Sequence, residues 1–143
     1  MNEQKNLKLL LADDEESVAN IYRTGLPKFF ADETGDRSTS ATVTVCSQGQ
    51  DAVEEFETAL QAGDAFDLVV LDVRMPPGIS GVDAARKIRA SDKKVPIIFV
   101  SGYSDVAIPN LEERVPPANR MCYVEKPMQL SELADLITEM AGI

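Results

Sequence analysis

Five short apolar runs alternate with longer stretches in which apolar residues recur every three or four positions. The runs are Leu7–Ala12, Ala41–Cys46, Phe66–Leu71, Val95–Val100 and Met121–Val124. They are rich in Val, Ile and Leu and too short for free-standing helices, so the pattern predicts strands. The second alternates strictly, with Val43 and Val45 set against Thr42 and Thr44. The first, third and fourth are apolar almost throughout, as expected of strands covered on both faces of a parallel sheet.

Helical spacing marks the intervals. It links Val18, Ile21, Tyr22, Leu26 and Phe29; then Ala52, Val53, Phe56 and Leu60; then Val82, Ala85 and Ile88; and finally Leu130, Leu133, Leu136, Ile137 and Met140. A short fourth helix is predicted from about Pro109 to Val115, because Pro109 suits a first turn and Pro116 and Pro117 stop the chain. The polar stretch Ala31–Ser40 reads as a solvated connection. Strict β–α alternation with right-handed crossovers predicts an α/β fold. The expected form is flavodoxin-like: a doubly wound, five-stranded parallel sheet of order 2-1-3-4-5 with five helices, and 1–143 as one domain.

Composition narrows the function. With 14 Lys and Arg against 24 Asp and Glu, the net charge is -10, which disfavours direct binding to nucleic acid or a membrane surface. No histidine is present, so His triads, His metal sites and a phosphohistidine carrier are excluded. Cys46 and Cys122 lie in no short motif and are expected to be buried, reduced thiols of a cytoplasmic protein. Met75, Met121, Met128 and Met140 read as gap-filling core residues. The polar N-terminus is no secretory signal, and no apolar run approaches the roughly 20 residues of a membrane helix.

The candidate chemistry lies at the carboxyl ends of the predicted strands, where doubly wound sheets bind ligands. Asp13 and Asp14, then Glu15 and Glu16, follow the first strand; Asp72 ends the third; Ser101 and Gly102 end the fourth; Glu125, Lys126 and Pro127 follow the fifth. Clustered carboxylates repel unless a cation shares the site. Hard oxygen donors without His or Cys favour Mg²⁺. An aspartate can act as a nucleophile and form an aspartyl phosphate, while Mg²⁺ and a lysine neutralise phosphoryl charge. Asp13 and Asp14 could also simply cap the following helix.

Read together, Leu11-Ala12-Asp13-Asp14-Glu15, Leu71-Asp72-Val73-Arg74-Met75-Pro76 with Gly81, Pro96 to Gly102, and Lys126-Pro127 resemble the receiver domain of two-component response regulators over nearly the whole chain. The resemblance implies that Asp72 is the phosphoacceptor and that Asp13 and Asp14 organise Mg²⁺, Asp14 the more directly. It implies a backbone carbonyl ligand from Arg74 and a Lys126 that pairs with the phosphoryl oxygens. Ser101 and Tyr123 correspond to the pair that rearranges on phosphorylation, and the Lys126-Pro127 bond is cis in this family. A histidine kinase or histidine phosphotransfer protein would be the donor. An output domain, a downstream protein or a homodimer would receive the signal, and no metabolite would be turned over.

Two departures stand out. The Met75–Gly81 loop is one residue longer than usual, and the stretch between Ser101 and Lys126 is about three residues longer than in compact members and carries Pro109, Pro116 and Pro117. Arg74 and Tyr103 occupy positions that tune phosphoryl lifetime in this family, where large side chains could shield Asp72 from water. A haloacid-dehalogenase-like phosphatase would need an aspartate where Arg74 stands. A flavodoxin-type cofactor site would need a phosphate cradle in place of Asp13–Glu16. A receiver-like interaction module that is never phosphorylated is the remaining alternative.

Overall fold

The computed structural model describes residues 5–32, 39–102, 113, 115–126 and 129–142. In chain order these form β1 (Lys5–Ala12), α1 (Glu16–Asp32), β2 (Thr39–Cys46), α2 (Gly49–Gln61), β3 (Leu68–Asp72), α3 (Gly81–Ser91) and β4 (Ile97–Ser101), then a 3₁₀ turn (Ala118–Arg120), β5 (Met121–Glu125) and α4 (Leu130–Ala141). The strands pair in parallel in the order β2-β1-β3-β4-β5, as expected. Four α-helices lie among the described residues. The helix predicted from about Pro109 to Val115 falls almost wholly outside them.

Alternation along the three central strands builds a core on each face. Leu10, Val69, Leu71, Ile97 and Phe99 pack with Ala52, Val53 and Phe56 of α2 and with Val82, Ala85 and Ile88 of α3. Leu9, Leu11, Leu68, Val70, Ile98 and Val100 pack with Tyr22, Leu26 and Phe30 of α1 and with Leu133, Ala134 and Ile137 of α4. Every residue of β3 and β4 is buried, which is why their sequences are apolar without a break. Residues of β2 and β5, at the sheet edges, are mostly half-buried. Cys46 and Cys122 lie on these edge strands, so both free thiols are half-buried rather than buried as expected.

Gly81 sets how closely α3 approaches the end of β3. A Cβ there would lie 2.1 Å from the Asp72 carbonyl oxygen, and the Gly81 amide donates to the Val73 carbonyl at 2.8 Å. Only a residue without a side chain permits this approach. Ser80 then caps α3, accepting from the Asp83 N–H at 3.1 Å.

Candidate functional site

β1 and β3 are neighbours, so the residues at their carboxyl ends meet. Asp13 and Asp72 are buried, at 1% and 6% exposure, while Asp14 is exposed. Each of the three offers a carboxylate oxygen, and these oxygens lie within 4.8 Å of one another. Both oxygens of Asp13 are engaged: Oδ1 accepts the Glu15 N–H at 2.9 Å and Oδ2 accepts from Lys126 Nζ at 3.0 Å. One Asp13 side chain thus holds the turn that precedes α1 and joins the acidic cluster. Lys126 also faces Asp72, with Nζ 3.5 Å from Oδ2. Its backbone N–H donates to the Ser101 carbonyl at 2.7 Å, which ties the end of β5 to that of β4.

The charges act on one another. Burial, then the adjacent Asp13 carboxylate, pushes the Asp72 pKa up to about 6, with a further upward contribution from Asp14. The Lys126 ammonium and a hydrogen bond from the Arg74 backbone pull it the other way. Burial disfavours the Lys126 ammonium, but its hydrogen bond to Asp13 and the charges of Asp72 and Asp13 outweigh this and hold its pKa above the usual lysine value. Three carboxylate donors against one ammonium leave negative charge unbalanced. The donors are hard oxygens, the set that suits Mg²⁺, and Asp14 has no hydrogen bond or ion pair among the described residues.

Ser101, 1% exposed, shares a 2.5 Å hydrogen bond between its Oγ and Tyr123 Oη. The structure therefore brings together Asp13, Asp14, Asp72, Lys126 and the Arg74 backbone, with Ser101 at the end of β4 hydrogen-bonded to Tyr123 in the middle of β5. The Arg74 side chain is exposed. Pro127, Tyr103 and Met128 lie outside the described residues, so the expected cis bond and the shielding role of Tyr103 lie there too.

Two nearby residues carried no motif. Gln48 pins the long loop after β3: its side-chain amide donates to the Pro76 carbonyl at 3.3 Å and its oxygen accepts the Gly78 N–H at 3.1 Å. Tyr22 reads in sequence as an ordinary core residue of α1. Burial and the adjacent Asp13 push its pKa up to about 12, and with Lys126 it lines a pocket of about 230 Å³ between α1 and α4. Only tertiary packing reveals either.

A profile of the response regulator receiver domain matches residues 9–138. The transcriptional regulatory protein PdtaR of Mycobacterium tuberculosis is 32% identical over 130 residues, 91% of this chain and 54% of PdtaR. The sensor kinase CckA of Brucella abortus is 29% identical over 132 residues, 92% of this chain but 12% of CckA. The chain thus spans about half, or much less, of these curated relatives. Among solved structures, a response regulator receiver protein from Sinorhizobium medicae matches with a TM-score of 0.67 and 27% identity, covering 96% of this chain and 95% of the other.

Proposed function

Because the chain belongs to the response regulator receiver domain family, we propose that residues 1–143 act as one phosphoacceptor switch with Asp72 at its centre. A histidine kinase or histidine phosphotransfer protein supplies the phosphoryl group from its own phosphohistidine, a residue type this chain lacks. An Asp72 carboxylate oxygen attacks phosphorus, the P–O bond forms as the P–N bond breaks, and the imidazole leaves with the electron pair and takes a proton. Water later attacks phosphorus, releasing inorganic phosphate and restoring the carboxylate. No metabolite is turned over.

The observation that carries this reading is the convergence of Asp13, Asp14 and Asp72 with Lys126 Nζ at 3.0 Å from Asp13 and 3.5 Å from Asp72. Asp13, Asp14, Asp72 and the Arg74 backbone carbonyl would hold Mg²⁺, which supplies neutralising charge for the phosphoryl oxygens. Lys126 pairs with the same oxygens. Ser101, at the end of β4, and Tyr123, within the neighbouring β5, rearrange together and pass the change to the β4–β5 surface, where an output domain or downstream protein reads it. Cytoplasmic work suits the two free cysteines, and no described helix is long and apolar enough to cross a membrane.

Addition of beryllofluoride, a phosphoryl mimic, with Mg²⁺ tests the reading by NMR. The expected result is chemical-shift change at Ser101, Tyr123 and Lys126 that requires both additives. A spectrum that stays unchanged at those residues would overturn it.

A further inference from the structure

The other end of the sheet carries a concentration of positive charge. Between positions 86 and 94 lie Arg86, Lys87, Arg89, Lys93 and Lys94, with Asp92 the one acid, in a chain of net charge -10. The Asp92 carboxylate is used within its turn, accepting the N–H groups of Lys94 at 2.8 Å and Val95 at 3.2 Å. Arg89 is 5% exposed. Its guanidinium donates to the carbonyls of Val95, of Asp92 at 3.4 Å and of Arg120 at 2.7 Å, and none of these acceptors is an anion. Its Nε is the one buried side-chain nitrogen or oxygen without a hydrogen-bond partner among the described residues.

A buried cation without a directly paired carboxylate is costly. The carboxyl end of α3 offsets only about half an elementary charge. Arg86 and Lys93 are exposed and form no ion pair among the described residues. Together with Arg89, Ala90, Pro116 and Pro117 they line a groove of about 490 Å³.

We propose that this groove docks a carboxylate-rich segment of a partner protein. The cations are spread along the groove, which matches carboxylates spaced along a peptide, and Ala90, Pro116 and Pro117 offer an apolar wall to the intervening side chains. A compact phosphate would gain more from a helix N-terminus, whereas α3 presents its carboxyl end here. A nucleobase would need an aromatic platform, and none lines the groove among the described residues. The net negative charge of the rest of the molecule repels an acidic partner and so steers it to this patch. The carbonyls that anchor Arg89 precede β4 and β5, whereas Asp72, Ser101 and Lys126 lie at the carboxyl ends of the strands. Docking here is therefore separate from the Asp72 chemistry.

Fluorescence anisotropy of a short fluorescein-labelled peptide rich in glutamate and leucine, titrated with the full chain, tests this. Arg86→Glu with Lys93→Glu leaves the Arg89 hydrogen bonds in place. Arg23→Glu with Lys28→Glu makes the same change in net charge on α1. Native protein is expected to bind saturably, the groove pair to weaken binding by about tenfold or more, and the α1 pair to change it less than about twofold. The milder Arg86→Gln with Lys93→Gln should lose an intermediate amount while keeping the native circular dichroism. Absence of saturable binding by native protein, or equal losses in the two reversal pairs, would overturn the proposal. So would displacement by pyrophosphate at matching concentration, which assigns a phosphate ligand, or equally tight binding of an oligonucleotide through the same two side chains.

Discussion

Ser101 and Tyr123 share a 2.5 Å hydrogen bond across neighbouring strands, and each hydroxyl answers the other at the edge of the carboxylate cluster. Removing one hydroxyl strands its partner. Tyr123→Phe leaves the buried Ser101 Oγ without this bond and should lower stability by about 1–2 kcal/mol. Adding Ser101→Ala should recover part of the loss. Urea denaturation of the two single variants and the double variant checks this, and strictly additive losses would show that the hydroxyls act independently.

Lys126 stands between two carboxylates. Lys126→Met leaves Asp13, 1% exposed, without its ammonium partner, and stability should fall by about 1–3 kcal/mol. It also removes a charge that lowers the Asp72 pKa, so that pKa rises further. Phosphorylation by acetyl phosphate should slow by about 10²-fold, measured as the initial rate at saturating Mg²⁺.

The raised Asp72 pKa has two consequences of opposite sense. Attack needs the carboxylate, so the fraction of Asp72 competent to attack, followed by NMR titration in EDTA, should fall about tenfold for each pH unit below about 6. Folding responds the other way. Between pH 3.8 and about 6 the folded chain holds the Asp72 proton more tightly than the unfolded chain does, so this group's share of stability is lost as pH rises through that window. Asp72→Asn should remove the slope and stabilise the neutral-pH protein by about 1–3 kcal/mol. Thermal denaturation across that pH range, in EDTA, is the check.

Gly81→Ala would place a methyl group 2.1 Å from the Asp72 carbonyl oxygen and 3.1 Å from Val73 Cα, both backbone atoms. The start of α3 and the end of β3 must then separate. A stability loss of about 1–3 kcal/mol is expected, with slower phosphorylation because the strand end that carries Asp72 moves.

The parallel sheet, its strand order and the two-sided core were legible because β1, β3 and β4 are apolar on both faces and because Asp13, Asp14 and Asp72 follow β1 and β3 directly. The thiols of Cys46 and Cys122 were misread: an apolar strand says nothing of whether it lies at the sheet edge, and both lie there. Gln48 and Tyr22 were invisible as site neighbours, since one acts through a loop 28 residues away and the other through helix packing. The Arg89 bonds to Val95 and Arg120 likewise join segments whose contact no local pattern announces.

The central claim is that the Asp72 carboxylate accepts the phosphoryl group in a Mg²⁺-dependent transfer. Intact-mass spectrometry after incubation with acetyl phosphate tests it most directly, comparing the native chain with Asp72→Asn, each with Mg²⁺ and with EDTA. One added phosphoryl group on the native chain with Mg²⁺, and none in the other three samples, is the predicted result. Equal labelling of the Asn variant, or a label mapped to another side chain, would contradict it.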